Sequence, residues 1–320
     1  YGHGTHTMGT MVGDDGDADR IGMAPGARWI GCRNMDNGMG TPATYAECFQ
    51  WFIAPTRMDG SDADPAMAPD VINNSWSCTP SEGCEDPNVL LTVVNNVRAA
   101  GILTVQSAGN AGAPCETVMD PAAIYRASFT VGATDRSDVI AAFSSRGPVT
   151  SDGSNRRKPD ISAPGVSIRS SFKGGGYSIM SGTSMAAPHV AGLAALLVSA
   201  NPRLSGQVVL LERIAERTAL HLVTSQGCGD DGPTDVPNNV YGWGRIDAYA
   251  AYRRAISTGT LQVTLGPSQA VAAGGRWRVD GGHWKVDGQQ VSGLAAGGHT
   301  VELKIVAGWK TPVVLTAVIE

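Results

Sequence analysis

Apolar positions along the first 258 residues fall into runs of two kinds. "ARWIGCRN", "DVINNSW", "GILTVQSAGN" and "ASFTVGAT" are short, rich in β-branched residues and bounded by turn formers, and they predict strands. "TYAECFQWFIA" and "NVLLTVVNNVRAA" lie between them, with "SMAAPHVAGLAALLVSA" and "VVLLERIAERTAL" further on; all four have helical length and spacing. The third is apolar on nearly every side and belongs at the centre of its domain. Strands alternating with helices predict a parallel sheet covered by helices, an α/β layered domain over residues 1–258.

After "GRIDAYAAYRRAISTG" the pattern changes. "LQVTL", "RWRVD", "HWKVD", "HTVELKIV" and "PVVLTAVIE" alternate over short spans separated by turns such as Asp280-Gly281-Gly282 and Asp287-Gly288, predicting a small all-β hairpin domain over residues 259–320. In a unit this small Trp277, Trp284 and Trp309 are expected to fill the core; the alternative is a stacking surface for a glycan at a cell surface.

Composition narrows the function classes. The 320 residues are 42% hydrophobic and 17% charged with 41 glycines, which argues for a globular chain with many tight turns and against disorder. The net charge of −5, with scattered Lys and Arg, offers no basic face to nucleic acid. The longest apolar run, "VAGLAALLVSA", is shorter than the roughly 18 residues of a membrane span and suits a buried helix. Six cysteines allow 15 full pairings. Cys78 and Cys84 flank a short loop and are the best candidate bridge, with buried free thiols as the alternative. The absence of a CxxC pair disfavours zinc and thioredoxin chemistry.

Three segments carry candidate chemistry. "YGHGTHTMGT" places His3 and His6 three residues apart, which suits either a base or a metal pair, although HGTH lacks the glutamate of a zinc-hydrolase HExxH. "SGTSMAAPH" puts Ser184 at the start of the buried helix, near exposed N–H groups and the positive end of the helix dipole; it reads as a nucleophile or as an ordinary cap, and Pro188 is expected to kink that helix. "SAGN" ends a predicted strand with Asn110, an oxyanion donor or a turn asparagine. In the order His, Asn, Ser the three supply a base, an oxyanion donor and a nucleophile.

With these blocks the chain closely resembles the subtilisin-like serine peptidases. "HGTHTMGT", "SAGN" and "GTSMAAPHVAG" are similar to the family's histidine, oxyanion and serine blocks; "KPDISAPG", "AAFSSRGP" and "GRIDAYAA" are similar to its connecting segments. "IGMAPGARWIGCRNMD" and "DVINNSWSC" resemble the bacillopeptidase F-like branch of secreted bacterial enzymes. The resemblance covers about residues 1–258; from Thr260 the chain more weakly resembles small β repeats appended to bacterial surface or secreted proteins.

The resemblance implies a three-layer subtilisin-like fold and a secreted bacterial serine endopeptidase acting on proteins or peptides. It makes His3 the general base, Ser184 the nucleophile, and Asn110 with the Ser184 backbone N–H the oxyanion donors. Ser75, Trp76 and Ser77 would pair with an extended substrate and wall its first specificity pocket, with Ala108 and Gly109 opposite. His6 would be structural and Met185 a site of inactivating oxidation. The chemistry requires no cofactor; structural calcium is a family expectation without assignable ligands.

One departure stands out. In the family an aspartate-bearing strand precedes the histidine block, whereas only Tyr1 and Gly2 precede His3, so the acid is expected outside this chain. Asp14, Asp15, Asp17 and Asp19 read as a solvated turn, with a cation-binding loop as the alternative. The missing acid also leaves a rival reading, a non-catalytic peptidase-fold protein presenting the β unit to a cell surface or glycan.

Overall fold

The computed structural model describes residues 2–17 and 19–319. Helix α1 (His3–Val12) opens the chain and α2 (Pro42–Ile53) follows a long loop. Thr41 starts α2: its Oγ1 accepts from Thr44 N at 3.2 Å, and Pro42 fills the first turn, where a missing N–H costs nothing. Strand β1 (Val71–Asn74), α3 (Leu91–Ala99), β2 (Leu103–Ser107), β3 (Ser128–Thr134) and β4 (Ile161–Pro164) then build a parallel sheet in the order β1-β2-β3-β4. Every residue of β2 and β3 is buried, as expected of central parallel strands covered on both faces.

A hairpin, β5 (Ile168–Ser171) and β6 (Tyr177–Met180), leads into α4 (Thr183–Ala200), the buried helix; α5 (Val208–Thr218) and α6 (Ala248–Ala255) flank it. Side chains of α4, α5 and α6 form one core with Leu103, Val105, Phe129 and Val131 of the sheet. Those of α2 and α3 form a second with Ile72, Ile124 and Tyr125. By composition α4 is apolar and long enough to cross a membrane, yet it lies largely within the first core. A Cβ on Gly192 of α4 would sit 2.5 Å from Met23 Cβ and 3.2 Å from Met11 O, so the missing side chain is what lets this helix approach α1 and the loop after it.

Residues 258–319 carry β7 (Thr258–Gln262), α7 (Ser268–Ala272), β8 (Trp277–Val279), β9 (Gln290–Ala295), β10 (Gly297–Leu303) and β11 (Leu315–Ile319). They form antiparallel sheets, β7-β9 and β11-β10-β8. The short helix α7 and strand β9 were not legible in the alternation, and "HWKVD" contributes only a bridge from Lys285 to Trp277. Trp277 is fully buried, as the core reading requires, but Trp284 and Trp309 stay 42% and 41% exposed. Asn201 Nδ2 donates to Ala255 O at 2.9 Å and Ala296 O at 2.8 Å, joining this unit to the end of α4.

One predicted strand is absent. "ARWIGCRN" forms no ladder, and Trp29 and Ile30 are 59% and 36% exposed. A strand's stability comes from cross-strand pairing and burial rather than propensity alone, and among the described residues no strand lies against this segment. It is held instead by the Cys32–Cys48 disulfide to α2. Cys78–Cys84 closes the short loop as expected, and Cys115–Cys228 is the third bridge.

Candidate active site

Ser184 is the second residue of α4, where the first N–H groups have no partner inside the helix. The Thr183 N–H donates to Asn110 Oδ1 at 2.9 Å and the Met185 N–H to Gly182 O at 3.0 Å. The Ser184 N–H between them meets no acceptor among the described residues. Thr183 Oγ1 also donates to Asn110 Oδ1, at 3.1 Å. With its oxygen committed to Thr183, the amide of the exposed Asn110 presents Nδ2, which no protein acceptor takes among the described residues. Two unused donors thus remain at the start of α4, the Ser184 N–H and the Nδ2 of the Asn110 amide bonded to Thr183.

Gly109 holds this contact from the β2 side: its N–H donates to Thr183 Oγ1 at 3.2 Å. Its φ of +104° lies in the left-handed region, and a Cβ there would meet Ser145 Oγ at 2.9 Å, so glycine is required twice over. Ala108, buried at the end of β2, takes Val131 O through its N–H at 3.0 Å.

Ser75 follows β1 and meets Ser184 twice. Ser75 Oγ donates to Ser184 O at 2.8 Å, and Ser184 Oγ donates to Ser75 O at 3.4 Å. Next along the chain, the Trp76 carbonyl accepts from Gln106 Nε2 at 2.5 Å and its indole stacks on the Tyr45 ring, 4.1 Å between centroids and 8° apart. Tyr45 is fixed in turn by Glu82, whose Oε1 accepts Tyr45 OH at 2.7 Å and Gly40 N at 2.8 Å while Oε2 accepts Thr79 N at 3.0 Å. Burial opposes the charge on Glu82, but these bonds outweigh it and hold the carboxyl below its ordinary range. Burial, with Glu82 beside it, raises the Tyr45 phenol.

His3 sits half-buried at the first position of α1. Burial lowers its pKa, and His6 on the same helix lowers it further, so the ring is neutral at pH 7 and able to accept a proton. No hydrogen bond joins His3 to Ser184, and none reaches it from a carboxylate among the described residues. The structure therefore brings Ser184, Asn110, Ser75 and Gly109 into one bonded cluster and leaves His3 outside that network.

His6 is fully buried and its Nε2 donates to Ile168 O at 3.0 Å, pinning α1 to the β5–β6 hairpin together with Ser170 Oγ and Ser171 Oγ, which donate to His6 O and Thr5 O. Met185 is 1% exposed, so its thioether is shielded from an oxidant in the folded state. α4 continues through Pro188 as a single helix.

The aspartates after α1 bond within their own loop and to Arg169. Asp14 Oδ1 accepts Gly16 N at 2.8 Å, Asp15 Oδ1 accepts Asp17 N at 2.9 Å, and Asp19 forms a bidentate pair with Arg169. Among the described residues no three His, Cys, Asp or Glu side chains gather as a metal site. A residue that the sequence pattern did not single out is Asp120, half-buried beside Ser77; in "MDPAA" it reads as a turn residue before proline.

Comparison with known proteins agrees with the motifs. The pattern of the Subtilase family matches residues 1–244. Over 256 residues the chain is 43% identical to Bacillopeptidase F of Bacillus subtilis (strain 168), covering 78% of this chain but 17% of that protein. It is 32% identical over 273 residues to Serine protease AprX of the same strain, covering 77% of this chain and 57% of that protein. It is also 32% identical over 254 residues to Subtilisin Savinase of Lederbergia lenta, covering 79% of this chain and 78% of that protein. The chain thus spans about a sixth and somewhat over half of the first two relatives. With ordered histidine, oxyanion and serine blocks folded onto a parallel α/β sheet, the chain belongs to the Subtilase family.

Proposed function

We propose that the chain is the catalytic portion of a secreted bacterial serine endopeptidase, with Ser184 as nucleophile, His3 as general base and the triad's aspartate supplied from outside residues 1–320. The observation that carries this reading is the pair of unclaimed donors, Ser184 N–H and the Nδ2 of the Asn110 amide bonded to Thr183, at the N-terminus of the helix that carries Ser184.

Ser184 Oγ attacks the peptide carbonyl while His3 removes its proton, and the carbonyl oxygen, now negative, accepts from the two donors. Collapse of the tetrahedral species breaks the C–N bond as His3 returns the proton to the leaving amine. Water, deprotonated by the same imidazole, then releases the acyl group and restores Ser184. The chemistry draws on protein groups alone. Ser75 to Ser77 on one side and Ala108 with Gly109 on the other would hold the substrate extended. For His3 to take its proton, the Ser184 hydroxyl gives up its 3.4 Å bond to the Ser75 carbonyl.

Intact mass after exposure to an alkyl fluorophosphonate tests the reading, with Ser184→Ala as control. A single adduct that disappears in the variant is expected. A folded chain without an adduct, even when extended at its N-terminus by the aspartate-bearing segment, would overturn the peptidase reading and leave the binding-protein alternative.

A further inference from the structure

The loop that leaves Asn110 comes back to the segment that follows β1. Pro121 O accepts Cys78 N at 2.9 Å, which lays Asp120 alongside Ser77, whose side chain acts on the Asp120 carboxyl to lower its pKa. The return path is rigid. Cys115 is bonded to Cys228, Thr117 N and Val118 N both donate to Arg146 O, and Val118 is fully buried.

Asp120 is half-buried, yet no cation forms an ion pair with it among the described residues. The charge that bears on it is the carboxylate of Glu82, of the same sign. Glu82 has its own bonds to Tyr45, Gly40 and Thr79, whereas among the described residues only Ser77 favours the charge on Asp120. Burial and then Glu82 push the Asp120 carboxyl above the usual carboxylate range. A carboxylate desolvated in this way, without a counterion, costs stability that a neutral side chain would not. An incoming guanidinium or ammonium would supply the missing charge.

We propose that Asp120 is a specificity-determining residue, placed beside Ser77 to receive the Arg or Lys side chain that precedes the bond to be cut. This rests on the peptidase reading above and names its substrate class: extended peptides with a basic residue on the acyl side of the scissile bond. Binding such a residue pairs two charges beside Ser77, whereas an apolar residue there leaves Asp120 half-buried and unpaired, so discrimination comes from both attraction and penalty.

The test is equilibrium binding of two labelled extended peptides, identical except for Arg or Leu at that position, to Ser184→Ala, which binds without cutting. The Arg peptide is expected to bind about 10-fold tighter or more, the scale of one hydrogen-bonded charge. Asp120→Asn in the same background should erase the preference, and Asp120→Lys should shift it to a Glu peptide. Asp120→Ser removes the same charge if the Asn variant does not fold, with circular dichroism as the check. Equal affinities for the two peptides, binding of neither, or an Arg preference that survives loss of Asp120 would overturn the inference. Fluorophosphonate labelling keeps the two claims apart: a labelled chain without Arg preference sinks this inference alone, and absence of labelling even in the chain extended at its N-terminus sinks the peptidase reading.

Discussion

Ser75 and Ser184 exchange hydrogen bonds: the Ser75 hydroxyl donates to Ser184 O at 2.8 Å and the Ser184 hydroxyl to Ser75 O at 3.4 Å. The first bond has its cause four residues along the helix. Ser184 O would ordinarily accept from the N–H of residue 188, but Pro188 has none. The carbonyl freed by the proline is taken by Ser75, so a helix defect becomes the clamp between β1 and the candidate nucleophile.

This clamp predicts a specific non-additivity. Ser75→Ala leaves the Ser184 carbonyl without a donor and should cost about 1–3 kcal/mol in urea denaturation. Pro188→Ala returns an N–H to the helix, so the same Ser75→Ala change should cost markedly less in that background. Equal costs in both backgrounds would show that the proline is not what makes Ser75 necessary.

Asn110→Ala removes the Nδ2 donor and should lower turnover of a peptide ester about 10²–10³-fold, a magnitude taken from the same replacement in subtilisin rather than obtained independently. Its effect on KM should be small, because the oxyanion forms after binding. A loss confined to KM would assign Asn110 to ground-state binding.

His3 gives a pH dependence with a defined sign. Its pKa is lowered by burial and then by His6, so the neutral form persists below the ordinary imidazole range. Fluorophosphonate labelling of Ser184 should hold its rate as pH falls through that ordinary range and decline only at lower pH. Exchanging His6 for Gln should move the decline upward. A midpoint at or above the free-imidazole value would contradict His3 as the base.

The brace behind Trp76 should matter to substrate binding more than to chemistry. Tyr45→Phe keeps the ring stacked on Trp76 but leaves Glu82 Oε1 one donor short. It should cost about 1–2 kcal/mol of stability and raise KM for extended peptides, with kcat nearly unchanged. A matched fall in kcat would mean that the stack reaches the reacting atoms.

Glu216 on α5 makes stability depend on pH. Burial, then Asp160 and Glu212, raise its pKa to about 7, while Arg213 and Lys158 act the other way. The unfolded chain releases this proton near the ordinary glutamate value, about 4.3. Between those two values the folded state binds more protons, so stability falls as pH rises through that window. Thermal melts at pH 5 and pH 8 should show that loss, and Glu216→Gln should reduce it.

The hydrophobic pattern by itself determined most of the scaffold. β2 and β3 are buried on both faces and α4 is apolar nearly all round, and a run of that kind has few places to go except a central sheet and its covering helix. The ordered motifs around His3, Asn110 and Ser184 determined the family in the same direct way, since they are local strings. The tertiary structure decided what depends on a partner distant in sequence. "ARWIGCRN" has strand composition but no ladder, because pairing belongs to two strands and not to one. The three disulfides selected one pairing of 15 through the approach of residues as far apart as Cys115 and Cys228. Asp120 is a turn residue in the string and becomes a half-buried carboxylate beside Ser77 only when its loop returns to the segment that follows β1. Burial and neighbouring charge are properties of the folded chain, and they are what turn an ordinary aspartate into a candidate for choosing the substrate.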